Sequence, residues 1–497
     1  MFQNSLHANC VISLMLLFCI YHSCGKAQAQ TFDEYKRRVQ SEFNQYKSEK
    51  ESEFKAYRER VNSEFADYMR RTWPEYMLKP AMPVPDAPEP PKPIVKEPTT
   101  EPSNDPVPFD EVSLAPKPVE PPRPVVPLPE PNVPIKASFE FVYYGQKCQM
   151  PLENKHRFRL TGVSEDDVAD GWMCLSSDAF LPVIAQCLDY RSKLHLCDWG
   201  YVRFVEQMTT AFFSSAQLNE ARLMQMFILT QSGYKVRIAR VGNKLALLLP
   251  SKDSIYQYPY LTIGGCNYYL VDSSFGQSSI NVFNREFPKE QYFSLRILEQ
   301  PILPVDRTRS RHLRLGHDSE LAVDISVNKN LIEFYNDYPL NSHWDIYANA
   351  SLSVLAKEQL YPVLRKAIAD KSNLVAANIL LHFIQTAFEY ETDDKQFGEE
   401  RALFADETLF YPYSDCEDRA ILYSVLVRDL LDLEVVLLYY PGHLATAVCF
   451  ETDDVYGDHL QIDGKRYIVC DPTYINADVG QAMGQYKNTA ATVVKLQ

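Results

Sequence analysis

Three stretches decide how this chain is read: Tyr411-Pro-Tyr-Ser-Asp-Cys416-Glu-Asp-Arg-Ala420, then Pro441-Gly-His443, then Val469-Cys-Asp471-Pro-Thr-Tyr474. Cysteine, histidine and aspartate follow in that order, each at the edge of an expected element. Residues 418–431 carry apolar side chains at 421, 422, 425, 426 and 430, one face at 3.6-residue spacing. Ser414 or Asp415 caps that helix, which puts Cys416 at its N-terminus. Partial positive charge there favours thiolate, and first-turn N–H groups can bind a developing oxyanion. Residues 434–440 read as a strand, Pro441-Gly442 as a turn and 444–450 as a second strand. Residues 461–465 read as another turn, and 466–470 as a third strand ending at Asp471. In an antiparallel sheet the start of one strand lies beside the end of its neighbour. His443 and Asp471 are therefore expected at one sheet edge, with the Cys416 helix packed across it. A thiol, an imidazole and a carboxylate so arranged are a nucleophile, its base and the group that orients the base.

Taken singly, each residue has an ordinary explanation. A cysteine before a helix is usually inert, a histidine after Pro-Gly is usually a turn residue, and Asp-Pro-Thr is usually a turn or cap. The ordered set is what points to a site. Cys449 and Cys470 lie inside apolar runs and are expected to be small buried residues.

The chain has 497 residues, 46% of them hydrophobic and 12% aromatic, which calls for two or three folded units. A formal charge of -15 argues against a nucleic-acid binder, which needs basic patches. Residues 11–20 are an apolar run too short to span a bilayer, and Ala27-Gln-Ala29 fits signal cleavage. Residues 1–29 are thus expected to be a signal peptide, giving an exported protein, periplasmic or extracellular. Lipid attachment at Cys24 is the alternative. No other segment is apolar enough to cross a membrane. Export permits disulfides among Cys148, Cys174, Cys187, Cys197, Cys266, Cys416, Cys449 and Cys470, but there is no CxxC pair to hold zinc.

Residues 30–79 carry an eleven-residue repeat. Phe32, Phe43, Phe54 and Phe65 are spaced by eleven, Tyr76 continues the series, and Tyr35, Tyr46, Tyr57 and Tyr68 follow three places behind each Phe. Eleven residues over three turns keep such a stripe nearly straight along a helix. The helix would reach roughly 70 Å and end near Trp73-Pro74. Its aromatic stripe needs a partner, through self-association or docking on a surface. Residues 80–135 hold 20 of the 33 prolines and read as a polyproline-II tether with no core, extending roughly 170 Å.

Residues 136–310 and 311–497 read as two copies of one domain. Phe180-Leu-Pro-Val-Ile resembles Leu360-Tyr-Pro-Val-Leu, Asn219-Glu-Ala-Arg-Leu resembles Cys416-Glu-Asp-Arg-Ala, and Leu270-Val-Asp-Ser-Ser-Phe275 resembles Val469-Cys-Asp-Pro-Thr-Tyr474. Asn219 faces Cys416, and Asn243 or Lys244 faces His443. Only Asp272 remains, opposite Asp471. The first copy should keep the fold and lack the chemistry.

Ser414-Asp-Cys416-Glu-Asp-Arg419, Gly442-His443 and Asp471-Pro472 resemble the transglutaminase-like superfamily, which shares a papain-like core. The resemblance covers about residues 360–480 well and 180–280 in outline. It implies an α+β fold of two tandem domains, each an antiparallel sheet packed on helices, after the long helix and the Pro-rich linker. It also implies the roles of nucleophile for Cys416, base for His443 and orienter for Asp471. Members include cross-linking enzymes, peptidases, amidases and inactive binding modules. Gln385 is a candidate second oxyanion donor; surface or capping polarity accounts for it equally well. Calcium serves some cross-linking members, but no Asp-x-Asp-x-Asp-Gly loop occurs here, and Glu391-Thr-Asp393-Asp394 reads as a solvated loop. No cofactor or metal is expected. The expected function is a cysteine peptidase or amidase acting through a thioester on a protein or peptide substrate, which an envelope polymer could supply. A non-catalytic peptide-binding scaffold is the alternative.

Overall fold

Helix-favouring polar residues between the aromatics let Phe32–Met69 form one helix of 38 residues. The computed structural model describes residues 32–84, 93–96, 103–114, 122–124, 138–271, 279–315, 321–341, 343–451 and 455–496. The signal peptide, its cleavage site, Cys24 and Asp272 lie outside these. The helix stops four residues before Trp73, whose indole N–H donates 2.8 Å to the Met69 carbonyl and satisfies a helix-end acceptor. Residues 70–79 are therefore not helical as expected. Pro74 forces extended backbone, and Glu75–Met77 is a strand.

Contacts divide the chain at residues 61 and 62 into two units. In the first, Phe32, Tyr35, Phe43, Tyr46 and Phe54 stand exposed on the helix. In the second, Phe65 is buried, its ring 4.7 Å from Trp172 and 5.0 Å from both Phe283 and Phe287.

The second unit is mixed α+β and contains two six-stranded sheets. In the first sheet, the helix Leu218–Gln231 precedes five strands: Arg237–Val241, Lys244–Ser251, Tyr260–Ile263, Cys266–Leu270 and Ser279–Phe283. In the second, the helix Cys416–Leu431 precedes Glu434–Tyr440, His443–Cys449, His459–Ile462, Lys465–Cys470 and Ala491–Lys495. Within each set the strands lie side by side in the same order: fifth, first, second, fourth, third. The neighbours in each set of five are antiparallel. The second sheet contains two strands the sequence reading missed. His459–Ile462 was expected as part of a turn, but only Asp463 and Gly464, at φ 50° and 79°, turn the chain. Ala491–Lys495 is a single short run without a neighbouring turn signal.

A sixth strand extends each sheet from the N-terminal side. Glu75–Met77 pairs antiparallel with Ser279–Phe283, and Phe109–Leu114 runs parallel to Ala491–Lys495. The proline-rich region is thus not a free spacer. Met82 accepts from the Gln257 N–H, and Lys96 donates to Ile475. Val107 donates to His459, and Pro122 accepts from Arg191. Proline removes only its own donor, so described residues around the prolines still bond to neighbouring strands and loops.

Residues 471–490 form an irregular loop that returns from Asp471 to the last strand. Gly480 in this loop (φ +89°) abuts Gly457, and a Cβ on Gly480 would lie 2.6 Å from the Gly457 Cα. Both the φ and the backbone contact exclude a side chain. Gly480→Ala should cost about 3 kcal/mol, read as a lower urea midpoint.

Candidate active site

Asp415 is the N-cap of the helix Cys416–Leu431, in a capping box with Asp418. Cys416 is therefore the first helical residue, as the spacing predicts. Every residue from Cys416 to Val427 is buried, because the helix packs on the strands Glu434–Tyr440 and His443–Cys449. Arg419, 1% exposed, ties the helix start to the end of a neighbouring helix, Asn373–Ala387. Its guanidinium donates to the Phe388 carbonyl at 2.9 Å and to the Ser414 hydroxyl at 3.2 Å.

His443 opens its strand directly after the Pro441-Gly442 turn. Thr446 pairs with Cys470 across the antiparallel ladder, which sets Asp471 beside His443. The imidazole Nε2 lies 2.7 Å from Asp471 Oδ2. Asp471 Oδ1 accepts the N–H groups of Thr473 (2.9 Å) and Tyr474 (3.2 Å), so the carboxylate cannot rotate away. Bonding of Nε2 to a carboxylate places the ring proton on Nε2. His443 Nδ1 is buried and makes no hydrogen bond; it is the nitrogen left as base. Cys416, His443 and Asp471 are each 2% exposed. Cys416 forms no disulfide, nor does any other described cysteine. Its thiol donates to Glu417 Oε2 at 3.1 Å.

Tyr486, from the irregular loop, had no sequence signal. Its ring stacks on His443 at 4.9 Å and 13°, and on Tyr440 at 4.9 Å. Gln385 has no amide N–H left to offer an oxyanion. It is 3% exposed, and its amide donates to the carbonyls of Asp471 (3.2 Å) and Ala477 (3.0 Å) and accepts from Asn476 (3.2 Å). Both N–H bonds are spent holding the Asp471 loop, so neither surface exposure nor capping describes it. Cys470 is fully buried, which pushes its thiol up to about 12; Cys449 is only half-buried, contrary to expectation.

In the first sheet, Asn219 sits near the start of the helix equivalent in order to the Cys416 helix. Its side chain donates to the Asn243 carbonyl (3.0 Å) and accepts from the Leu245 N–H (2.8 Å). An amide thus sews the helix to the start of the second strand, the position His443 takes in the other sheet.

The stretch 391–394 is not a solvated loop throughout, since Asp393 is 1% exposed. Two groups of carboxylates, Asp393 with Glu400 and Glu417 and Asp393 with Asp415 and Asp418, bring oxygens within 4.8 Å of one another and could hold a cation. Burial, and then the Glu417 charge, hold Asp418 well above the usual carboxylate range. Asp406 lies on the helix Ala405–Phe410, which packs against the Cys416 helix, and burial pushes it up to about 6. Its carboxyl accepts the Ser353 N–H at 2.9 Å and the Ser353 hydroxyl.

No family model matches the chain, and no curated protein or solved structure matches it. Among the described residues no single helix is long and apolar enough to cross a membrane.

A carboxyl that keeps its proton in the folded state but loses it near pH 4 on unfolding stabilises the fold fully below that pH. The contribution is lost as pH rises through the folded value of about 6. The stability of the native chain relative to Asp406→Asn should therefore fall by on the order of 2 kcal/mol between pH 4 and pH 6.5, measured by urea unfolding across that range.

Proposed function

We propose that this chain is a transglutaminase-like cysteine enzyme that hydrolyses amide or peptide bonds through Cys416, His443 and Asp471. One observation carries the reading: a buried His443–Asp471 pair, with His443 Nδ1 left unbonded, opens the strand on which the Cys416 helix packs. His443 Nδ1 takes the thiol proton as Cys416 Sγ attacks the carbonyl carbon. Backbone N–H groups at the helix start receive the oxyanion. The tetrahedral adduct expels the amine, which leaves with the proton from His443, and a thioester remains on Cys416. Water, deprotonated by His443, then releases the acid and restores the thiol. Asp471 holds the ring and balances its charge while it carries two protons. Hydrolysis is favoured over transfer to an amine because water is always present.

The shared strand order of the two sheets supports a duplicated fold with a first copy that has lost the reaction. The hydrogen bonds of Asn219 fit that loss. Residues 1–29 support export. The exposed aromatics of the long helix support self-association.

The resting contact of the Cys416 thiol with Glu417, in a site closed to solvent, favours a second reading: a binding module that keeps the geometry without turnover. Iodoacetamide at pH 7.5 separates the two. For the enzyme, Cys416 should label faster than the other thiols, and His443→Ala should slow it by about tenfold or more. Cys416→Ala should abolish cleavage of a peptide library. Slow labelling of Cys416, indifferent to His443, would leave the binding module.

A further inference from the structure

The loop that carries Asp471 and Tyr486 has a partner from far upstream. The Ile475 N–H donates to the Ile94 carbonyl at 2.9 Å, and the Lys96 N–H donates to the Ile475 carbonyl at 2.9 Å. Val95 and Ile475 form a parallel bridge. Side chains alternate as in any strand: Val95 is 58% exposed, while Ile94 packs against the cluster of Tyr474, Ala477 and Met483, which Tyr486 also joins. Tyr486 in turn stacks on His443. A short extended segment therefore lies one layer of side chains from the catalytic imidazole. Two backbone hydrogen bonds and one aliphatic anchor hold it. A second tie follows at residues 103–105, where the Ser103 hydroxyl (2.6 Å) and the Asp105 N–H (3.3 Å) donate to Asp458. The other oxygen of Asp458 accepts the Ala482 N–H of the same loop at 3.0 Å.

We propose that the edge at Ile475, with the apolar cluster of Tyr474, Ala477, Met483 and Tyr486, is a binding site for an extended peptide carrying an aliphatic side chain, and that Ile94–Lys96 fills it in cis. The chain itself shows what fits: backbone pairing supplies general affinity, and the alternate side chain supplies selection. The proposal rests on the peptidase reading only for its catalytic meaning. There, a substrate strand must displace the cis segment before its own aliphatic side chain can reach the cluster beside Tyr486 and His443.

The test uses the full chain with Cys416→Ala, so that nothing is cleaved, and a fluorescent peptide of the sequence Pro-Lys-Pro-Ile-Val-Lys-Glu-Pro, that of residues 91–98. Anisotropy should show weak binding to this protein. Adding Ile94→Asp, which empties the cis anchor, should tighten binding by about tenfold or more, and the peptide with Asp in place of its Ile should not bind. Unfolding by Ile94→Asp would appear in its thermal melt, so a second variant keeps the test decisive. Val95→Cys with Ile475→Cys, joined by a disulfide, should abolish peptide binding until a reductant is added. Equal binding to the protein with and without Ile94→Asp, or binding untouched by the disulfide, overturns the proposal. Because no step needs turnover, peptide binding together with failed Cys416 labelling would reject the enzyme and keep the site.

Discussion

The pairing of Thr446 with Cys470 governs everything else at the site. It brings the first residue of one strand beside the residue that follows another, and so joins an imidazole and a carboxylate twenty-eight positions apart in the chain. A slip of one residue would turn Asp471 to the opposite face. Nothing in the histidine itself protects against that slip. The protection comes from the burial of the central strands Glu434–Tyr440, His443–Cys449 and Lys465–Cys470, from the outer strand His459–Ile462, which buries one face only, and from the two Asx-type hydrogen bonds that fasten Asp471 to its own loop.

The first sheet repeats the strand order of the second. Its helix also precedes a strand pair. Near the start of its helix an amide, Asn219, bonds to backbone on both sides. Such a side chain contributes to stability and holds the helix in place. The second sheet instead leaves buried polar atoms, His443 Nδ1 and Glu417 Oε1, without a hydrogen bond, and the surrounding fold has to offset that cost.

How much of this could be read from the residues follows the reach of each signal. The Cys416 helix, its capping and the two strands around Pro441-Gly442 lie within one continuous pattern, so local periodicity placed them. The meeting of His443 and Asp471 followed from the antiparallel rule alone. The proline-rich region reads as a spacer because composition reports what a segment does by itself. It says nothing about which edge strand stands open to receive it. Tyr486 and Asp458 were invisible for the same reason, since a turn-rich stretch carries no periodicity and their partners lie in other elements. Gln385 was noticed for its chemistry, but only the fold reveals that carbonyls already occupy its donors. The acids near Asp393 read as surface because acidic runs are usually solvated, while burial is a property of the assembled core.

The strand Phe109–Leu114 lies parallel to Ala491–Lys495, so the outer edge of the second sheet joins an early segment of the chain to a late one. During synthesis the early strand must wait for its partner until the ribosome has made Ala491–Lys495. Until then the sheet lacks its last two members, and the loop bearing Asp471 and Tyr486 has no strand at its far end to return to. Long-range closure of this kind is slow. It also ties the final placement of the loop that holds Asp471 to the arrival of Ala491–Lys495, so a chain cut before that strand would leave the loop without its far anchor.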